Sequence, residues 1–262
     1  MAGNEMRGPA PRIFLTGASS GIGAAFARHY AAQGATLGLV ARRRDELDRL
    51  ARSLPTEALV YAVDVTNAAA LAAAGGDFIG RAGLPDIVIA NAGVSVGTLT
   101  EEAADLAAFE RVLRINVAGM ANTFQPFVAA MRGAGRGRLV GVASVAGIRG
   151  LPGAGAYSAS KAAAIAYLES LRVELRGSGV KVVTLAPGYI RTPMTAANPY
   201  PMPFILDADA AVRRMARVIA AGRSYAVVPW QMAIVAKLMR LLPNALFDRL
   251  FAHAGRKPRG PA

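Results

Sequence analysis

Along the chain, short runs of β-branched or leucine-rich residues alternate with longer alanine-rich stretches of helical character. The runs at 12–15, 36–40, 58–62, 87–90, 138–143, 181–185 and 225–228 read as strands. Strands separated by helix-length segments are the mark of parallel βαβ units. The expected fold is therefore α/β: a doubly wound, seven-stranded parallel sheet with helices on both faces. Crossovers in such sheets are right-handed and ligands gather at the carboxyl ends of the strands, so chemistry is expected just after each strand. Neither an internal repeat nor an interdomain linker interrupts the pattern. Residues 12–254 read as one domain, 1–11 as an N-terminal arm, and 255–262 as a disordered tail.

Composition narrows the chemistry. The chain of 262 residues has no cysteine, which excludes disulfides, thiolate nucleophiles and zinc–thiolate sites. His29 and His253 are its only histidines, so no metal site is expected. The first dozen residues are polar and no apolar run reaches membrane-spanning length, which makes a cytoplasmic location the expectation. A formal charge of +13 would suit nucleic acid, anionic lipid or a polyanionic cofactor. The basic residues are scattered, however, and no helix-turn-helix, RNA-binding or zinc motif accompanies them, so no nucleic-acid partner is expected.

The first strand is followed by Thr16-Gly17-Ala18-Ser19-Ser20-Gly21-Ile22-Gly23 and then a helix. Glycines there permit a tight turn and let a pyrophosphate approach the backbone, where a helix N-terminus offers open N–H groups. Tyr157 and Lys161 stand four apart on a segment that reads as helix over 157–176, so both project from one face. A tyrosine with a reference pKa near about 10 is a poor acid or base at neutral pH, and a neighbouring ammonium is expected to lower it. Alone, each feature has a plainer explanation. A glycine turn can be purely structural, and a helical Tyr-x-x-x-Lys pair is usually packing.

Taken together, the Thr-Gly-x-x-x-Gly-x-Gly spacing, Asn91-Ala92-Gly93 after the fourth strand and Tyr157-x-x-x-Lys161 resemble the short-chain dehydrogenase/reductase family over nearly the whole stretch 12–228. The resemblance implies a Rossmann-type sheet and hydride transfer between nicotinamide and a carbonyl or alcohol carbon. It implies a catalytic set of Asn116, Ser144, Tyr157 and Lys161, with Ser144 on the substrate oxygen and Asn116 holding a relay water in a distorted helix. The cofactor would be held by Gly17, Ser19, Ser20, Gly21, Ile22, Gly23, Asn91, Ala92, Gly93, Tyr157, Lys161, Pro187, Gly188, Ile190 and Thr192. Asp64 and Val65 would flank the adenine, although Asp64 also reads as a turn cap.

The residue after the second strand selects the cofactor in that family: an acid suits a ribose 2′-hydroxyl, a base a 2′-phosphate. Here Ala41-Arg42-Arg43 carries no carboxylate, and a guanidinium offers a forked contact to phosphate, so NADP(H) is expected, with Arg43 assisting Arg42. The competing reading is that Arg42, Arg43 and Arg44 open a solvated helix. The proline-stiffened segment within the lid region 188–206 favours an apolar carbonyl or alcohol over a charged one. Where many relatives end soon after the seventh strand, this chain continues through an apolar C-terminal extension, 230–254. Core or homo-oligomer packing is its expected use, with peripheral membrane contact as the alternative. A non-catalytic NADP(H)-binding regulator remains the competing function. Retention of all four catalytic residues argues against it.

Overall fold

The computed structural model describes residues 10–260. Strands β1 (Arg12–Thr16), β2 (Thr36–Ala41), β3 (Ala58–Ala62), β4 (Ile87–Ala90), β5 (Gly137–Val142) and β6 (Val180–Pro187) alternate with helices α1 (Gly21–Ala31), α2 (Arg44–Ser53), α3 (Ala68–Ala82), α4 (Asp105–Leu113), α5 (Gly119–Gly133) and α6 (Gly155–Glu174). A short pair, β7 (Ile190–Arg191) and β8 (Leu206–Asp207), flanks α7 (Pro193–Ala196). Then come α8 (Ala208–Ala220), β9 (Tyr225–Val228), α9 (Trp230–Leu241) and α10 (Asn244–Phe251). All seven long strands pair in parallel in the order β3-β2-β1-β4-β5-β6-β9, the expected doubly wound, Rossmann-type sheet.

Alternation along β1 divides the core between two faces. Ile13 and Leu15 pack with Phe26 and Tyr30 of α1, Leu47 of α2 and Met215 of α8. Phe14 points to the other face, among Phe78 of α3, Phe124 and Phe127 of α5 and Leu168 of α6. A period of two along a strand buried on both sides requires this division. Register then positions the site. Thr16 pairs with Val40 and Ala90, Ala90 with Gly141, Val142 with Leu185, and Pro187 with Val228. The segments that follow β1, β2, β4, β5 and β6 therefore emerge side by side at one edge, and the chain order reverses between β1 and β4.

The strand boundaries agree with the pattern reading to within two residues, and α6 begins at Gly155 and ends at Glu174 rather than spanning 157–176. The tail requires a larger correction. Residues 255–262 read as disordered, yet 255–260 lie against the body: Gly97 N–H donates to the Pro258 carbonyl at 2.9 Å, and Arg259 pairs with Glu102 and Asp105. These partners lie more than 150 positions upstream, where local composition gives no sign of them. Of the N-terminal arm 1–11, residues 1–9 lie outside the described residues, as do 261–262 of the tail.

The C-terminal extension forms α9 and α10. Arg149, from the loop after β5, anchors them. Its guanidinium lies 3.9 Å from the Phe247 ring centroid and donates to the carbonyls of Met239 and Leu242 and to Asn244 Oδ1. An arginine at the carboxyl end of α9 also complements the helix dipole. Met232, Ala236 and Phe247 face inward, while Trp230, Ile234, Leu238, Leu241, Leu246 and Leu250 remain exposed.

Candidate active site

The turn after β1 owes its shape to close backbone approach. Gly17 has φ +69°, and a Cβ there would lie 2.7 Å from the Ala92 Cα; a Cβ on Gly23 would lie 2.0 Å from the Gly17 carbonyl oxygen. A side chain at either position would open the turn. Asn91 braces it, its Nδ2 donating to the Thr16 and Gly17 carbonyls, both at 3.2 Å. Thr16 Oγ1 in turn accepts from Asn91 N–H at 3.3 Å. Ser20 stands at the N-cap of α1 without a side-chain capping bond, which leaves the first N–H groups of the helix for an anion.

At the end of β2, Arg42 and Arg43 stand where the pattern places the ribose contact. Arg43 Nη2 donates to Ser19 Oγ at 3.3 Å, tying this corner to the glycine turn. Arg42 is exposed and loosely paired with Asp64 at 4.0 Å. Arg44, by contrast, turns back along α2 to pair with Asp48. The turn-cap reading of Asp64 has direct support, since its Oδ1 accepts from Thr66 N–H at 2.9 Å and from Thr66 Oγ1 at 2.8 Å. Burial alone would raise this carboxyl's pKa, but the two Thr66 bonds and the Arg42 and Arg111 charges outweigh it and hold the group below its usual value. Its Oδ2 faces Arg42, and the residue lines the cavity.

At the other end, Ser144 follows β5 and accepts from Ala146 N–H at 3.1 Å, and Tyr157 and Lys161 project from α6. Lys161 Nζ donates to the Val142 carbonyl at 2.8 Å and lies 5.7 Å from the Tyr157 ring centroid. Asn116 sits in a π-helical turn, Arg114–Ala118, between α4 and α5, the distortion that the resemblance implied. Its side chain accepts from Val94 N–H at 2.8 Å and donates to the Val94 carbonyl and to Ser160 Oγ, each at 2.9 Å. Ser160 Oγ donates to the Tyr157 carbonyl at 2.7 Å, which links Asn116 to α6. Sequence reasoning passed over Ser160 although it lies between Tyr157 and Lys161. Its role as a brace depends on a partner 44 positions away.

The electrostatics correct one expectation. A lysine four residues on was expected to lower the tyrosine's pKa. Instead burial pushes Tyr157 above its ordinary value, only partly offset by the Ser144 hydroxyl, and burial also brings Lys161 down to about 8. Desolvation penalises the charged form of each group, and it is the largest cause of both shifts.

One cavity of about 370 Å³ joins both ends. Of the predicted site residues, Gly23 and Asn116 stand behind its wall; the others, from Gly17 and Arg42 through Asn91 and Ser144 to Thr192, line it. Met194 and Thr195 of the expected lid region also line it, as does Val94, which was not singled out beforehand. A glycine turn at an open helix end, two arginines at one limit and, at the other, buried Ser144 and Lys161 beside a half-buried Tyr157 fit an elongated, phosphate-bearing dinucleotide.

The family model for short chain dehydrogenases matches residues 11–201. An uncharacterized oxidoreductase of Myxococcus xanthus is 39% identical, with 89% of this chain and 93% of that protein covered. The cis-4-hydroxycyclohexanecarboxylate dehydrogenase of Sinomonas cyclohexanicum is 35% identical over 78% of this chain and 82% of its own. Among solved structures, L-sorbose reductase from Gluconobacter frateurii, complexed with NADPH and L-sorbose, superposes with a TM-score of 0.75 at 26% identity, covering 84% of this chain and 95% of that one. With these relatives and this site, the chain belongs to the short-chain dehydrogenase/reductase family, oxidoreductases that move a hydride between a nicotinamide cofactor and a carbinol or carbonyl carbon.

Proposed function

We propose that this protein is an NADP(H)-dependent reductase of an apolar, small carbonyl compound, running in reverse as an alcohol dehydrogenase. The observation that carries the reading is a single cavity with Ser144, Tyr157 and Lys161 at one end and Arg42 and Arg43 at the other. When bound, the nicotinamide supplies or accepts the hydride. Ser144 hydrogen-bonds the substrate oxygen and polarises it. Tyr157, kept protonated by its raised pKa, donates the proton to that oxygen. Lys161 would hold the nicotinamide ribose, and its Nζ stands 5.7 Å from the Tyr157 ring centroid. The side-chain amide of Asn116 is engaged by Val94 and Ser160, so the widened main chain of its π-helical turn is left to hold the relay water.

Pro187, Gly188, Ile190 and Thr192 would hold the carboxamide side and Val65 the adenine. Asp64, already bonded to Thr66, would offer its remaining carboxylate oxygen to the adenine amine. The S. cyclohexanicum relative, whose name records a hydroxylated cyclohexane acid, supports an alicyclic ketone or alcohol. NADPH oxidation with a panel of ketones, aldehydes, quinones and keto-lipids tests the reading; no turnover with any of them would overturn it.

Cofactor preference rests on the absence of an acid after β2. Arg42→Asp is expected to weaken NADPH use and improve NADH use, shifting the ratio of their kcat/KM values by about a hundredfold, the scale of one or two charge-assisted phosphate contacts. An unchanged ratio would remove Arg42 from this role.

Self-association is supported by the exposed row Trp230, Ile234, Leu238 and Leu241 on α9. Among the described residues no helix is long and apolar enough to cross a membrane. Leu238→Glu is expected to halve the particle mass measured by light scattering; an unchanged mass would place the contact elsewhere.

A further inference from the structure

We propose that the C-terminal strap of residues 255–260 completes the substrate end of the site, and that Lys257 pairs there with a carboxylate on the substrate. The proposal rests on the reductase reading and amends the substrate expected from the lid, from an uncharged apolar carbonyl compound to an apolar body bearing one acid group.

The strap crosses three loops that border the cavity. It meets the segment after β4, where a Cβ on Gly97 would lie 2.2 Å from the Lys257 carbonyl oxygen. It passes the loop between Ser144 and Tyr157, where Gly153, at φ +69°, faces the Arg256 side chain. It also reaches the lid, where Gly255 abuts the Tyr200 ring. Arg259 fastens the strap, its Nε donating to Asp105 Oδ2 at 2.8 Å and its Nη1 to Glu102 Oε1 at 3.0 Å.

With that fastening in place, Lys257 is not needed as a clamp, and its surroundings are unusual for one. Its Nζ donates to Ser95 Oγ at 3.0 Å and to the Met194 carbonyl at 3.3 Å. Ser95 adjoins Val94, and Val94 and Met194 both line the cavity that holds Ser144 and Tyr157. The ammonium therefore ties together two segments that border the cavity. Both acceptors are neutral, and among the described residues no carboxylate pairs with it. Burial holds its pKa below the ordinary lysine value, the sign of a cation lacking a countercharge. An ammonium has three donors, two of them used here, and a half-buried cation without an anion is costly. A carboxylate reaching Lys257 from the cavity would supply both the third acceptor and the missing charge, while Val94 and Met194 accept the apolar body.

The test compares 4-oxocyclohexanecarboxylate with its methyl ester as substrates of the cofactor-loaded protein, and measures binding of cyclohexanecarboxylate against cyclohexanecarboxamide by calorimetry. The acid is expected to exceed the ester at least about tenfold in kcat/KM. Lys257→Gln is expected to abolish that advantage through KM, with kcat and the ester little changed, and Lys257→Arg to restore part of it. Arg259→Ala, which frees the strap, is expected to weaken acid and ester together. Equal loss on acid and ester in Lys257→Gln would make the lysine a second fastener and overturn the proposal. Binding of acid and carboxamide alike, or of neither, would also overturn it. Binding of the acid that depends on Lys257, without turnover of either ketone, would uphold the anion subsite and count against the reductase reading instead.

Discussion

Replacing Tyr157 by Phe is expected to lower turnover by roughly a hundredfold or more while leaving cofactor affinity nearly unchanged, the loss typical of a missing general acid. The substitution removes one hydroxyl from a half-buried ring and disturbs neither the glycine turn nor the Lys161 bond to Val142. Binding and chemistry therefore separate, which titration of NADPH beside steady-state kinetics would show. The direction of the tyrosine's shift adds a pH signature. A phenol pushed above its ordinary value stays protonated through neutral and mildly alkaline pH, so carbonyl reduction should persist there. Alcohol oxidation needs the phenolate and should rise with pH instead. Near-normal turnover in the Phe variant would return the non-catalytic regulator to first place.

Lys161→Met is expected to abolish measurable turnover and weaken cofactor binding, yet to raise the melting temperature. The reason lies in the cost of the buried ammonium. Lys161 is brought from an unfolded value of 10.5 to about 8, a difference worth about 3 kcal/mol between its two protonation states. Loss of its bond to the Val142 carbonyl returns about 1 kcal/mol of that. The remaining gain, about 2 kcal/mol, corresponds to roughly 4 °C in a chain of this size. Because the folded pKa is depressed, the penalty is fully present below about 8 and fades as pH rises toward 10.5, where the unfolded chain still binds the proton. The stability advantage of Met over Lys should therefore shrink between pH 8 and 10. Thermal melts across that range check this; a variant less stable at pH 7 would show that the hydrogen bond to Val142 outweighs desolvation.

The exposed apolar row on α9 and the strap belong to the same C-terminal third, and they illustrate different degrees of legibility. The apolar character of 230–254 was visible from its residues, but neither which of them turn inward nor that Arg149 holds them was. That guanidinium, some 90 positions earlier in the chain, stacks on Phe247 and draws the last carbonyls of α9 toward it. Nothing around Arg149 in the sequence distinguishes it from the other arginines of a basic chain. The strap was misread for a related cause: a short, polar, glycine- and proline-containing end looks the same whether it is free or held by distant acids.

Period-two strands, alanine-rich helices and the glycine turn were legible in the linear sequence because each is a local property, set by side-chain spacing and by backbone freedom at positions such as Gly17 and Gly23. From these followed the sheet, its direction and the strand ends where Asn91, Ser144 and Gly188 gather. The grouping of Asn116, Ser144, Tyr157 and Lys161 came from resemblance, since no local rule brings a helix residue to a strand end 28 positions later. Tertiary structure alone decided the quantities that depend on surroundings. Desolvation set the pKa of Tyr157 and Lys161 against the expectation from their spacing. Ser160 became a brace only when Asn116 packed beside it. Lys257 reached Ser95 across 162 positions. Burial and long-range contact are properties of the packed chain, because both depend on which distant atoms exclude water from a group, and that is specified only once the layers have closed.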